Sequence, residues 1–270
     1  AHASDFVYNT THDKLGCWTT AYSRKFYEDN GFFLKKGGLE ICRKGDDARW
    51  EELKRKVGSG KAFGTNVRLI SASEAKEKFP LLDEESLMGA MWDPDAGLVI
   101  PRSQDVVSFA VESAKDKGAL KTFTDTPAID FEVENGRVTG VKTDKGFIKT
   151  DKVVICSGIW GPLMGKKAGV PVPLMPLEHP LLFFGPLPEA QGAEDFLVYP
   201  LLRDQGNSAY VRDTGRLHGG MLEWGFYEDK EPRLVDPEDI GNPEKTMGSD
   251  SMRYLDLEEI AEPLEKAFET

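Results

Sequence analysis

The chain has 270 residues, 40% hydrophobic and 30% charged, enough to bury one large core or two smaller ones. Its 34 Lys and Arg against 46 Asp and Glu give a formal charge of -12, which argues against a polyanion-binding surface and so against nucleic acid, while leaving room for a small anion at a local basic group. No run of about 18 apolar residues is present, and the N-terminus AHASDFVYNT has neither a basic nor an apolar leader region, so neither a membrane span nor a signal peptide is expected. Cys17, Cys42 and Cys156 are odd in number and far apart, which supports neither a disulfide framework nor a CxxC metal site and points to a reduced compartment. His2, His12, His179 and His218 show no ligand spacing, so no metal is expected.

From Asp13 to Asn30, DKLGCWTTAYSRKFYEDN places Leu15, Trp18, Ala21, Tyr22 and Phe26 at intervals of three and four, which predicts an amphipathic helix closed at Asn30-Gly31. GFFLKKGGLEICRKG predicts extended chain broken by a turn or bulge at Gly37-Gly38. Between Asp46 and Lys61, DDARWEELKRKVGSGK has acids in its first turn and Trp50, Leu53 and Val57 along one side, which predicts a second helix. A short third helix is expected to start at Ser73 in SASEAKEKFP and to stop at Pro80. LMGAMWDPDAGLVIP reads as two extended pieces around DPDAG, after which Ser103 caps the helix SQDVVSFAVESAKDKGA, with Val106, Phe109, Ala110 and Ala114 as its buried stripe. LKTFTDT, PAIDFEVENG, RVTGVKTDKG and FIKTDKVVICSG follow as a β-meander with hairpin turns at Asn135-Gly136 and Lys145-Gly146, ending in an apolar strand of the parallel type. After Gly185, FLVYPLLRD, NSAYVRD and RLHGGMLEWGFYE predict an antiparallel sheet, and MRYLDLEEIAEPLEKAFET a terminal helix despite Pro263.

The stretch KVVICSGIWGPLMGKKAGVPVPLMPLEHP, from Lys152 to Pro180, joins that apolar strand to a Gly turn, a short helix and a Pro-rich run, yet no GxGxxG exists in the chain to hold a nucleotide. With HASDFVYNTT, GGLEICR, FPLLDEESLMGAMWDPDAG, NGRVTGVKTDKG, YPLLRD, SAYVRD and LDLEEIAEPLEKAFE, it resembles the FAD-dependent oxidoreductases of the D-amino-acid-oxidase superfamily. Within them it is similar to the dimethylglycine and sarcosine dehydrogenase or oxidase group, block by block and over essentially the whole chain. The resemblance implies an α+β fold: an α/β-type FAD-domain remnant with a β-meander, plus an antiparallel-sheet substrate domain with helices. Residues 1–30 and 96–172 would form the FAD-binding part, and residues 31–95 and 173–270 the substrate-binding part. The family's opening strand with GxGxxG and its later Gly-rich flavin segment are absent and the first residue is Ala, so an internal piece is expected that neither holds FAD tightly nor acts alone.

The resemblance also implies roles for residues. His2, in His2-Ala3-Ser4-Asp5, stands where the family carries the histidine bonded to the flavin, chemistry that suits a neutral imidazole nitrogen. Its Ser-Asp pair departs from the family's His-Ala-small-Gly pattern, and the other reading is a terminal histidine without that bond. Cys156, Ser157, Gly158 and Trp160 follow VVI where the family's backbone passes FAD, and Ala128 matches a position whose backbone meets the adenine part. Without the resemblance they are an ordinary strand-to-helix turn with Trp160 in the core. Cys156 itself reads as a small buried hydrophobe. His179 and Tyr210 match residues on the substrate side of the flavin and are the candidate catalytic groups, each otherwise a half-buried strand residue. Arg203 and Arg212 are candidates for a substrate carboxylate, against the alternative that each pairs with a neighbouring acid. Asp46-Asp47 and Glu258-Glu259 read as solvated helix faces.

The function so implied is FAD-dependent oxidation of a small-molecule amine, an N-methylated glycine such as dimethylglycine or sarcosine, by hydride transfer to FAD. A folate-binding module elsewhere in the full-length protein and an electron acceptor complete the expected partners, in the bacterial cytoplasm or the mitochondrial matrix. Two alternatives stand beside it. One is a non-catalytic partner-binding homologue like the regulatory subunit of pyruvate dehydrogenase phosphatase, and the other an oxidoreductase of another secondary or tertiary amine.

Overall fold

The computed structural model describes residues 4–227, 234–240, 244 and 257–268. The chain runs β1 (Phe6–Val7), α1 (Lys14–Asp29), β2 (Phe33–Lys35), β3 (Gly38–Arg43), α2 (Asp47–Ala62), β4 (Arg68–Ile70), α3 (Ala72–Lys78), β5 (Leu87–Asp93), β6 (Gly97–Val99) and α4 (Ser103–Asp116). It continues β7 (Ala128–Glu134), β8 (Arg137–Thr143), β9 (Gly146–Lys149), α5 (Gly161–Ala168), β10 (Leu181–Phe184), β11 (Leu201–Asp204), β12 (Ala209–Asp213), β13 (Leu222–Phe226) and α6 (Leu257–Phe268). These elements form two compact units, one of residues up to Ser113 with 179–227 and α6, the other of residues 114–178 with 234–240. The mixture of helices and several sheets is the α+β class expected from sequence.

The first unit is organised by a seven-stranded sheet in the order β10-β13-β12-β11-β3-β5-β4. It is mixed rather than purely antiparallel, because β11 lies parallel to β3, a pairing between strands about 160 residues apart. β3 explains the layering. Leu39 and Ile41 point to one face, where they join Ile70, Ala75, Phe79, Leu87, Leu202 and Val211 in a core closed by α3. Glu40 and Cys42 point to the other, where Cys42 meets Leu53 and Val57 of α2 and Glu40 takes the ammonium of Lys56, also from α2, at 2.6 Å. A smaller sheet, β1-β6-β2, separates the two halves of GFFLKKGGLEICR, since β2 and β3 join different sheets on either side of Gly37.

The helix starts follow from their caps. Asp13 accepts the Gly16 N–H at 2.7 Å and Asp46 the Arg49 N–H at 2.9 Å, opening α1 and α2 as expected. α3 begins earlier than the expected Ser73: Ser71 is the cap, accepting the Glu74 N–H at 3.1 Å in a Ser-x-x-Glu arrangement. Ser103 does not cap α4. It is the helix's first residue, and the carboxylate of Asp5 takes its N–H at 3.1 Å and its hydroxyl, so the negative group at this N-terminus comes from β1's end of the chain. The expected buried stripe of α4 is also corrected, because no residue of α4 is buried and Phe109 instead meets the rings of Phe26 and Phe32 at its surface. α1 keeps its helical periodicity, yet Leu15, Trp18 and Tyr22 are exposed, with the last two stacked at 5.5 Å.

In the second unit β7-β8-β9 form a meander. Asn135 and Gly136, with φ of 51° and 74°, make the tight turn that their pairing predicts, while the next turn falls on Asp144-Lys145, one residue earlier than expected. Two expected strands are not formed. LKTFTDT is irregular, with Phe123 exposed, and KVVICSG forms no strand and has no ladder partner among the described residues. An apolar parallel strand needs neighbours on both sides to satisfy its N–H and C=O groups, and Val154 is instead 85% exposed. α6 confirms the terminal helix from Leu257 onward, and the earlier part of MRYLDLEE lies outside the described residues.

Candidate functional site

Pairing register places one row of side chains across the α2 face of the large sheet. Reading inward from β13, Gly225 lies opposite Tyr210, Tyr210 opposite Arg203, and Arg203 beside Glu40. Directly opposed residues share a face, so this row forms a floor. Above it opens a cavity of about 460 Å³ bordered by Arg203, Tyr210, Arg49 of α2, Phe6 of β1 and Tyr227 just past β13. Ser4, Gln205 and Ser208 add polar atoms at its rim.

The cations of this region differ in what cancels them. Arg49 is 2.7 Å from Glu52 and 3.9 Å from Glu40, and donates to the side-chain oxygen of Gln205 at 3.1 Å. Arg212 is 1% exposed and tied at 2.5 Å to Glu223, its opposite on β13, so the acid-paired alternative holds for it and it does not border the cavity. Arg203 has no acid partner among the described residues. Its guanidinium lies instead over the ring of Tyr8, 4.0 Å from the centroid. With Glu40, Glu52, Lys56 and Arg49 offsetting one another, Arg203 leaves the cavity one net positive charge.

The opposite wall is aromatic. Phe6 meets Tyr210 edge-on at 5.5 Å, Tyr210 meets Tyr227 at 5.6 Å, and Tyr227 meets the His179 ring at 5.0 Å. His179 and Tyr210, the two candidate catalytic residues, are thus joined through Tyr227, with His179 exposed and Tyr210 half-buried. Burial, and then the neighbouring Tyr227 and Glu223, push the Tyr210 phenol up to about 12, against the opposing pull of Arg212. It is therefore neutral at physiological pH and can donate a hydrogen bond but not act as a base. The Tyr210 ring lies over Gly225, where any side chain would meet it.

The residues expected at the cofactor lie in the second unit. Ala128 is the first residue of β7, and α5 packs on that strand. Cys156 is exposed, which corrects the expectation of a buried hydrophobe: the segment that carries it has no sheet to be buried in. Ser157 and Gly158 form the turn into α5, with Gly158 at φ 55° and open space around it, and the Trp160 ring stands partly in solvent rather than in the core. The Ser157 hydroxyl oxygen is buried without a hydrogen-bond partner. An orphan hydroxyl beside a left-handed glycine, after a segment outside any ladder, suits contact with a polar group such as a dinucleotide. His2 lies outside the described residues. Among the described residues no three His, Cys, Asp or Glu side chains gather as metal ligands would, and no helix is long and apolar enough to cross a membrane.

Residues 8–266 match the family described as DAO, FAD dependent oxidoreductase, and the chain belongs to it. It is 31% identical to mitochondrial sarcosine dehydrogenase of Homo sapiens, over 76% of this chain and 22% of that protein. It is 25% identical to mitochondrial dimethylglycine dehydrogenase of Mus musculus, over 88% and 26%. It is also 29% identical to the mitochondrial pyruvate dehydrogenase phosphatase regulatory subunit of Mus musculus, over 78% and 24%. The chain thus spans about a quarter of the length of these relatives. Among solved structures it is similar to L-proline dehydrogenase from P. horikoshii, with TM-score 0.69 and 29% identity over 83% of this chain and 59% of that one. Glycine oxidase from Bacillus cereus ATCC 14579 shares the fold, with TM-score 0.66 and 17% identity over 99% and 66%.

Phe6, Tyr8, Arg49, Gln205, Ser208 and Tyr227 were not singled out from sequence. Tyr227 follows β13, whose register sequence leaves open; Phe6 reaches the cavity from β1, Arg49 from α2, and Gln205 and Ser208 from the turn between β11 and β12, while Tyr8 lies against Arg203.

Proposed function

We propose that this chain is the substrate-binding part of an FAD-dependent oxidoreductase of N-methylated amino acids, with sarcosine or dimethylglycine as substrate. The observation that carries the reading is the pairing, in one cavity, of a single uncancelled cation with a wall of aromatic rings. Arg203 takes the substrate carboxylate, for which one guanidinium fork is sufficient. The faces of Phe6, Tyr210 and Tyr227 hold the methylated ammonium, whose charge is spread over its methyl groups and is attracted to π-faces. Tyr210, neutral, donates a hydrogen bond to the bound molecule, and His179 beside Tyr227 accepts the ammonium proton, freeing the nitrogen lone pair that the oxidation requires.

FAD, when bound, supplies the acceptor for the hydride that leaves the N-methyl carbon. Ser157, Gly158, Trp160 and the backbone at Cys156 and Ala128 are the residues of this chain that would hold it, with His2 as the candidate for a covalent bond. The proposed compartment is the mitochondrial matrix or the bacterial cytoplasm, supported by mitochondrial relatives, and an electron acceptor and a folate-binding module remain the proposed partners of the whole protein.

Titrating dimethylglycine into the wild-type chain and into Arg203→Met tests the carboxylate role without requiring turnover. A charged hydrogen bond is worth about 1.5–3 kcal/mol, so roughly a 10- to 150-fold loss of affinity is expected. Equal affinity in the two proteins contradicts the reading. The second reading, a partner-binding homologue, is favoured by the 29% identity to the phosphatase regulatory subunit, and predicts no amine binding in either protein.

A further inference from the structure

Arg49, Arg203 and Arg212 are each held by something, and Arg203 is the exception in how. Arg49 and Arg212 are fixed by carboxylates, which orient them and cancel their charge. Arg203 is fixed by the π-face of Tyr8, which orients a guanidinium by stacking while leaving its charge available to a ligand. Tyr8 is itself immobile. It is 5% exposed among Ala96, Leu98, Leu197 and Leu201, and its hydroxyl donates to the Leu39 carbonyl at 3.1 Å. The ring also rests on Gly38, where an added Cβ would stand 2.5 Å from Tyr8 Cε1 and 2.8 Å from Cζ, so the ring reaches its place only over a residue with no side chain.

We propose that Tyr8 is a positioning residue for substrate binding: its ring, bedded on Gly38 and anchored to Leu39, holds the Arg203 guanidinium facing the cavity with its charge uncancelled. Tyr8 touches neither substrate nor cofactor and acts through Arg203. The inference rests on the reading of Arg203 as the carboxylate anchor.

The test uses trimethylglycine, which carries the same carboxylate on a fully methylated nitrogen, and tetramethylammonium as the probe lacking the carboxylate, both titrated into the full chain. Tyr8→Phe keeps the ring and is expected to bind both probes within about twofold of wild type. Tyr8→Leu removes the π-face and is expected to lose roughly 3- to 30-fold for trimethylglycine while staying within about twofold for tetramethylammonium. An equal loss for both probes would mean that Tyr8 only supports the core, and would overturn the proposal. Unchanged trimethylglycine binding in Tyr8→Leu, alongside weakened binding in Arg203→Met, overturns the positioning role and leaves the carboxylate reading standing. Absence of trimethylglycine binding in wild type takes both down. Should Tyr8→Leu not fold, nuclear magnetic resonance of the wild-type chain decides: the Arg203 side-chain protons are expected upfield of other arginines, from the ring current of Tyr8, and to move on adding trimethylglycine. Ordinary arginine shifts that ignore the probe overturn the proposal.

Discussion

Replacing Gly225 by Ala separates binding from stability in a way that follows from two neighbouring strands. The backbone at Gly225 is not in the left-handed region, so Ala is conformationally allowed, and Ala in a strand is favoured over Gly by about 0.5–1 kcal/mol. Its methyl group, however, would fall against the Tyr210 ring, with Cε1 at 2.5 Å and Cζ and the hydroxyl inside contact. The obstacle is a side chain beside an open cavity rather than backbone, so the ring can give way by turning into that space. Leaving a preferred rotamer costs about 0.5–1.5 kcal/mol, which roughly offsets the gain from the strand preference. Thermal unfolding is therefore expected to shift by no more than about 4 °C in either direction, the equivalent of about 1 kcal/mol in a protein of this size. Binding is expected to suffer, because the displaced phenol fills the volume meant for the methylated nitrogen and loses its own contact with it. Loss of one cation–π contact and part of the cavity gives a fall in trimethylglycine affinity of about tenfold or more, read by titration calorimetry. Affinity within about twofold of wild type, with the fold intact, would refute the reasoning, since either the ring would not rest on Gly225 or the cavity would not be the binding site.

Two further predictions concern carboxylates, one buried and one half-buried. Asp213 is fully buried and accepts the N–H groups of Val198, Tyr199 and Gly215, each at 2.8 Å, so Asp213→Ala strands three donors and should lower stability by about 3 kcal/mol or more; an unfolding midpoint within a few degrees of wild type would contradict this. At Asp95, burial pushes the carboxyl up, but Lys35, Asn66 and Arg24 outweigh it and hold it below the ordinary value of 3.8. A depressed carboxyl adds stability above its unfolded value that is lost as the pH falls through the folded one, so the advantage of wild type over Asp95→Asn should be constant near neutrality and shrink below about pH 4, measured by denaturant unfolding across pH. An advantage that grows on acidification would reverse the sign and contradict the ion-pair assignment.

What sequence disclosed and what it withheld divide along one line. Local signals held: helices run from Asp13 and from Asp46, Asn135-Gly136 is a hairpin turn, and Leu53 with Val57 is the buried side of α2. Signals that depend on a distant partner did not. The apolar run VVIC looks like a buried parallel strand, and only the structure shows that no described strand pairs with it. Periodicity likewise marks α1 and α4 as helices without saying what their apolar residues meet, and Leu15 and Trp18 meet solvent while Phe109 meets Phe26 and Phe32 at the surface. In the site, YPLLRD and SAYVRD present Arg203 and Arg212 in the same local setting, and sequence offered no ground for ranking them. Both fall opposite an acid, and the ion pairs decide: Arg212 is tied to Glu223 and cancelled, whereas Glu40, opposite Arg203, is taken by Lys56, and Arg203 lies over Tyr8 and keeps its charge. His179 and Tyr210 were named through the resemblance alone, and Tyr227, which links them, has no sequence signal beyond following Gly225 by two residues.

Oxidation of an N-methylated glycine at this cavity is tested by mixing the full-length flavoprotein anaerobically with sarcosine, dimethylglycine and trimethylglycine while following the visible absorbance of the flavin. Sarcosine or dimethylglycine is expected to bleach the flavin and to yield formaldehyde or a transferred one-carbon unit. Trimethylglycine, which has no lone pair to release, should bind without bleaching, and Arg203→Met should demand far more substrate for the same bleaching. A flavin-loaded protein that no N-methylated glycine reduces would contradict this reading.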